Sequence, residues 1–263
     1  MQVVVLLAGV VDPKWRLGTL GLRPGTAQVE DTALPRKLSP FDEAALETAL
    51  QLRDADAAVT VTAILTGGAE SDGLLRAVAA FRPHRAFRFG DAAMSLWDPA
   101  TAARLLGAAV RAATEAPALV LMGREFGDSD DGVLAPALAE AEGWAFCGLA
   151  HRVALRDGDI LLHRTRGARD EILHRRPPAV VSITNERGNR LRHPLMKNVM
   201  LARRAPVEVV APPTAPPPAL ALRAIAAVPP AQRGGAGRVL TGPVAAQVEE
   251  LAAYLRASTT GAA

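Results

Sequence analysis

Between Gly123 and Leu134 the chain sets a glycine-rich, acidic turn directly after four apolar residues. The turn reads Gly123-Arg124-Glu125-Phe126-Gly127-Asp128-Ser129-Asp130-Asp131-Gly132-Val133-Leu134, and the run before it is Leu119-Val120-Leu121-Met122. Four apolar residues in succession suit a strand buried on both faces. Gly123 permits a sharp turn. Asp128, Ser129, Asp130 and Asp131 can each cap a helix over Gly132–Glu142. A strand end that faces a helix N-terminus is where open α/β sheets bind phosphorylated ligands, because the first N–H groups of the helix lack internal partners. The same residues also read as a well-capped acidic turn that binds nothing.

Other chemistry finds little support. There is no Gly-x-Ser-x-Gly and no paired base and nucleophile. Asp128 and Asp130 could form a carboxylate pair, but nothing in the sequence supplies its partner. The five histidines lack metal-ligand spacing, and the single cysteine, Cys147, leaves no internal disulfide or cysteine cluster. Cys147 lies in an apolar stretch with Trp144 and Phe146 and reads as buried and inert. The net charge is only +3, and aromatic residues make up 4% of the chain. Basic residues gather at Arg164–Arg176 and Arg187–Arg204; with so few aromatics to stack on bases, these read as protein-docking or solvated faces, and no nucleic-acid partner is expected. The apolar run Val3–Val11 is too short to span a membrane, so a cytoplasmic chain without membrane insertion is expected.

The elements that must position the turn follow from the pattern. Strands are expected at Val3–Gly9, Val59–Thr66, Ala86–Phe89 and Leu119–Met122. Helices are expected after Ser39-Pro40, over Ser71–Phe81 and from Asp98-Pro99 to Ala113. Ser39 is a good N-cap, Pro40 fits the first turn, and Asp42 and Glu43 complement the dipole. Residues 14–38 read as a loop or small hairpin. This β-α alternation predicts a Rossmann-like, mostly parallel α/β sheet with helices on both faces. From His151 the rhythm changes: Asp157-Gly158 marks a hairpin between His151–Leu155 and Asp159–His163. Extended pieces near Arg169–His174 and at Ala179–Thr184 are expected to complete the sheet, and Leu195–Arg204 to form a short helix. Residues 1–205 read as one α/β domain. Residues 206–263 read as a proline-rich C-terminal arm with a terminal helix at Val244–Arg256, packing on a partner subunit.

Four segments in order resemble the beta subunit of electron transfer flavoproteins. Ser39-Pro40-Phe41-Asp42-Glu43 is similar to that family's Asn-Pro-Phe-(Asp/Cys)-Glu. Gly123-Arg124-Glu125 through Gly143-Trp144 matches its strand-loop-helix without a gap. Asn185-Glu186-Arg187 with Asn198–Arg204 resembles its docking loop and basic helix, and Pro229-Pro230 with Arg233 and Gly237 its C-terminal arm.

The resemblance implies a non-catalytic electron-carrier subunit. Its partner would be an alpha subunit that holds most of the FAD, its donor a flavin dehydrogenase, and its acceptor often a membrane quinone oxidoreductase. Many members also bury an AMP in the beta subunit, and bifurcating members a second FAD. By position, the cofactor-binding residues would be Leu6, Ser39, Pro40, Phe41, Asp42, Thr66 and Gly123, Arg124, Glu125, Phe126, Gly127, Asp128, Ser129, Asp130, Asp131, Gly132, Val133 and Leu134, with Phe41 against the alpha subunit's flavin. From local sequence alone, Phe41 instead reads as a staple residue packed on its own helix. Two departures bear on the nucleotide. Ala8-Gly9 stands where the family has Lys-(Arg/Gln), and Gly132-Val133-Leu134-Ala135 stands where it has Asn-Gln-Thr-Gly, removing an amide and a hydroxyl that could hold phosphate.

The partner-docking residues implied are Leu195, Met196, Lys197, Arg203 and Arg204. Met196 would be the apolar anchor, and the surrounding basic residues, which include Arg190 and Arg192, would steer association. The alternative is that Leu195, Val199 and Ala202 form the buried side of a short helix. A different class of protein, a stand-alone adenine-nucleotide-binding regulatory module on the same sheet, leaves the proline-rich arm without a use.

Overall fold

A computed structural model describes residues 1–15, 21, 30, 33–90, 97–128, 130–214, 218, 220, 226, 237 and 239–260. The chain runs through β1 (Gln2–Leu7), β2 (Val10–Val11), β3 (Arg36–Lys37), α1 (Pro40–Ala55), β4 (Thr60–Thr66), α2 (Asp72–Ala79), β5 (Arg85–Phe89), α3 (Pro99–Ala113) and β6 (Leu119–Gly123). It continues through α4 (Leu134–Glu142), β7 (Ala145–Ala150), β8 (Arg152–Arg156), β9 (Asp159–Arg166), β10 (Arg169–Arg175), β11 (Ala179–Ile183), α5 (Met196–Arg204), β12 (Val209–Val210) and α6 (Val244–Thr260).

Seven strands form one sheet in the order β12-β5-β4-β1-β6-β11-β7, and every neighbouring pair in it is parallel. The α/β sheet expected from the alternation is therefore present. β1 explains why it is central. Val3, Val5 and Leu7 enter the core shared with α1, whereas Val4 and Leu6 enter the core shared with α3 and α4. A strand apolar at every position fits only where helices cover both faces. From β1 the chain passes to β4 and β5 on one side and later to β6 on the other. Strand order therefore reverses between β1 and β6, and the carboxyl ends of those two strands border the crevice where such sheets take ligands.

Two parts of the sequence reading change. The strands β8, β9 and β10 form a separate antiparallel sheet rather than completing the parallel one. Their alternating pattern needs cover on one face only, and Val153, Ile160 and Leu162 supply that face to the core beneath α1. The seat at the edge of the main sheet belongs instead to β7, which sequence reading does not register as a strand.

Helix α1 begins as its residues dictate. Ser39 is its N-cap, with Oγ accepting the Asp42 N–H at 3.0 Å, and Asp42 returns the favour by accepting the Ser39 N–H at 3.2 Å. This reciprocal box fixes the angle at which the helix leaves the crevice. Of residues 14–38, Arg36–Lys37 pairs with Val10–Val11; residues 16–20, 22–29 and 31–32 lie outside the described set.

By internal contacts the chain divides into Met1–Ile225 and Ala226–Ala263. In the second unit α6 carries Val244, Val248 and Leu251 exposed at helical spacing. Pro229, Pro230 and Arg233 lie outside the described residues. No described helix is long and apolar enough to cross a membrane.

The join between α1 and β6 is close. A Cβ added at Gly123 would sit 2.8 Å from Phe41 Cβ and 2.9 Å from the Glu125 carbonyl. Gly123→Ala should therefore force the two elements apart and lower stability by about 1–3 kcal/mol, read as a shifted midpoint in chemical denaturation.

Candidate functional site

The crevice is assembled around Asp42. Just past β1, Gly9 adopts φ +67° and turns its N–H onto Asp42 Oδ2 at 3.2 Å. The same oxygen accepts from Ser39, so one carboxylate ties the end of β1 to the start of α1. Asp42 is fully buried, and its other oxygen, Oδ1, has no hydrogen-bond partner. Burial pushes its pKa up to about 6, against the opposing pull of the Ser39 and Gly9 hydrogen bonds. Next to it, the half-buried Phe41 ring lies under the Arg124 guanidinium, 4.6 Å from the centroid. Arg124 also pairs with Glu125, Nε to Oε1 at 3.2 Å. Pro40 is exposed on the first turn. Thr66 is buried, its hydroxyl donating to the Leu7 carbonyl at 3.4 Å. The Leu6 side chain is fully buried in the α3/α4 layer. These residues thus converge on the ends of β1, β4 and β6.

The acidic turn resolves differently from its four equivalent candidate caps. α4 starts at Leu134, not Gly132, and the residue that ends its exposed N–H groups is Asp130. Asp130 Oδ1 accepts from Gly132, Val133 and Leu134 at 3.1, 2.9 and 3.1 Å, and Oδ2 accepts from Phe126 at 3.1 Å. Asp130 is buried, Gly127 is half-buried in the turn, and Asp128 and Asp131 point to solvent; Ser129 lies outside the described residues. The arrangement does not fit an AMP phosphate at α4. Three of the donors it would need already hold the chain's own carboxylate, and Val133 and Leu134 offer no side-chain donor. Bringing a dianion beside Asp130 would add like-charge repulsion.

Sequence reading also missed a hollow of about 610 Å³ between the end of β6, the edge strand β7 and strands β9 and β10, lined by Arg124, Arg164, Arg166, Arg175, Phe146 and Leu149 among others. Its basic wall is Arg164, Arg166 and Arg175 from the Arg164–Arg176 cluster, with Arg164 paired to Glu171, and its lining includes Leu149 at φ +62°, beside the register shift between β7 and β11.

The segment expected to dock is held by its base and exposed at its tip. Asn189 is buried, with Nδ2 donating to the His151 and Thr184 carbonyls at 3.1 and 2.9 Å. Gln51 on α1 donates to the Gly188 carbonyl at 2.9 Å. Then Leu195 and Met196 stand out, 71% and 74% exposed, with Lys197, Arg203 and Arg204 exposed on the helix they begin. Of the alternative buried trio, only Ala202 is buried. Arg192 is not part of a free basic ring: its guanidinium is bound by Glu47 and Asp54 of α1.

A parallel sheet with a capped crevice at its switch point is the architecture of the Rossmann-like α/β class, and here an apolar tip stands on a loop pinned at its base. Residues 26–215 match the electron transfer flavoprotein domain. The chain is 30% identical to the mitochondrial electron transfer flavoprotein subunit beta of Oryza sativa subsp. indica, over 81% of this chain and 82% of that protein. It is 27% identical to the subunit beta of Bradyrhizobium diazoefficiens, over 79% and 80%. It is 26% identical to the protein FixA of Azorhizobium caulinodans, over 80% and 74%. The chain belongs to the electron transfer flavoprotein beta-subunit family.

Two outcomes follow from the carboxylates. Folded Asp42 keeps its proton up to about pH 6, whereas unfolded Asp42 loses it near 3.8. Between those values the folded state binds more protons, so its contribution to stability falls as pH rises. Asp42→Asn keeps an acceptor for Gly9 and Ser39 and should flatten that fall, by on the order of 1–3 kcal/mol, in urea denaturation across pH 4–7. Asp130→Ala strands four N–H groups and should cost roughly 1–3 kcal/mol, seen as a lower thermal midpoint.

Proposed function

We propose that this chain is the beta subunit of a cytoplasmic heterodimeric electron transfer flavoprotein. It pairs with an alpha subunit that holds most of the FAD, receives electrons from a flavin dehydrogenase and passes them to an acceptor such as a membrane quinone oxidoreductase. It is a carrier subunit and not a catalyst. FAD supplies the one-electron chemistry; this chain supplies the surfaces that position it.

The observation that carries the reading is the exposed Leu195–Met196 pair. Two large apolar side chains left in water on a loop tied down at its base are costly unless something covers them part of the time. The basic residues Lys197, Arg203 and Arg204 would steer an acidic partner surface onto them and set the on-rate more than the final affinity. At the crevice, Phe41 offers a flat apolar face to the partner subunit's flavin. Arg124, stacked on Phe41 and paired with Glu125, joins that face to the basic hollow and would hold the Phe41 ring in place. The residues Ser39, Pro40 and Asp42 hold Phe41 in place. The arm 206–263, past the β12 residues that add to this chain's own sheet, would pack on the alpha subunit, a reading supported by the exposed Val244, Val248 and Leu251 stripe of α6.

Co-expression with the neighbouring reading frame tests this directly. A tight 1:1 complex with a flavin absorption band is expected, and extraction of the bound nucleotides should yield FAD without stoichiometric AMP. A colourless, stable monomer would favour the stand-alone nucleotide-binding module instead. In the complex, Met196→Ala should raise the KM for the dehydrogenase roughly tenfold, an interface anchor being worth about 1–2 kcal/mol, while flavin content stays constant. Loss of flavin would assign Met196 to the fold.

A further inference from the structure

The docking loop is held to α1 by one residue more firmly than by any other described contact. Arg192 Nε lies 3.1 and 2.9 Å from the two Glu47 oxygens, and Nη2 lies 2.8 Å from Oε1. Its main-chain N–H donates to Glu47 Oε2 at 3.2 Å, and Nη1 donates to Asp54 one helical stretch further on. Glu47 is buried, so this carboxylate is removed from water and its charge is answered by Arg192. A planar guanidinium can bind one carboxylate through two N–H groups and still reach a second; an ammonium cannot reproduce that fork. Three residues beyond, Leu195 caps α5 with its carbonyl accepting from Asn198 and Val199. At the other end of α5, the Ala205 carbonyl accepts from Arg76 of α2, and β12 rejoins the sheet against β5.

We infer that Arg192 is a positioning residue for docking: its lock on Glu47 and Asp54 holds the loop so that Leu195 and Met196 stand clear before a partner arrives. The inference rests on the docking reading of that pair. An unlocked loop would let the two side chains fold back on the nearest apolar surface, and each encounter would then have to order the loop again. The same argument gives α1 a second task. Its first turn shapes the crevice, and its middle, through Glu47, Gln51 and Asp54, sets the posture of the docking tip.

The test uses the complete heterodimer, with a purified flavin dehydrogenase that reduces its flavin as donor. Arg192→Gln should raise the KM for that dehydrogenase about tenfold, as expected when a binding-competent posture falls to a tenth of the population. The kcat at saturating donor and the flavin absorbance should stay as they were. Hydrogen exchange of the amides at 189–195 should quicken. Arg192→Lys should recover part of the KM, and Glu47→Gln, which keeps hydrogen bonds but loses the charge, should shift both readouts in the same direction by less. Unchanged KM and unchanged exchange in Arg192→Gln would overturn the inference, as would loss of flavin, which would make Arg192 a residue of the fold. If Met196→Ala leaves KM untouched, the docking reading fails, and the exchange rates still decide whether Arg192 sets the posture of the loop.

Discussion

A single buried carboxylate, Asp42, joins the central strand to the first helix, and the geometry of the crevice depends on that joint. It accepts from Gly9 at the end of β1 and from Ser39 at the start of α1, so the two elements cannot separate without stranding a charge or two N–H groups. Gly123 then lets β6 close against Phe41, which completes a three-cornered junction of β1, α1 and β6. The residue that makes the joint is also under opposing influences, since burial raises its pKa while its hydrogen bonds pull the other way. Such opposition is common where a fold places a group for use and not for stability alone.

Helix α1 links two features of the chain that are distant in sequence. Its N-terminal turn faces the crevice; Glu47, Gln51 and Asp54 lie further along and grip residues 188 and 192. The acidic turn before α4 shows the opposite economy. Asp130 satisfies its own helix so fully that little of the usual anion-binding character of a helix N-terminus remains. The strand-loop-helix is present as architecture, and the N-terminus of its helix is closed by the chain's own carboxylate.

How much of this was legible in sequence depended on range. The Ser39–Asp42 cap, the apolar runs of β1, β4 and β6, and the Asp157-Gly158 hairpin are local patterns, and each appears where the residues put it. The β7 strand was not legible: Ala145–Ala150 contains Gly148 and Leu149, breaks register against β11, and earns its place only by pairing with a strand some thirty residues away. Four adjacent polar residues, Asp128 to Asp131, look alike as caps, and only the path of the turn selects Asp130. Arg192 looked like any other base in a basic loop because its partner Glu47 is 145 residues distant in sequence. Contact identity at that separation is a property of the fold, not of the motif. The family resemblance pointed to the crevice and to the Leu195–Met196 loop, but it carried no information on which side chains were already committed.

The two attachments of α5 have a mechanical meaning. Before it, Arg192 fastens the chain to α1; after it, β12 adds to the sheet edge, with the Gly90 N–H donating to Val210 and Arg85 pairing with Glu208. The helix is therefore a beam supported at both ends, and its exposed tip sits beside one of the supports. Tension applied at Met196 passes along α1 and the edge of the sheet instead of peeling α5 away. On the docking proposed above, a bound protein would load both supports at once and would leave the helix between them in place.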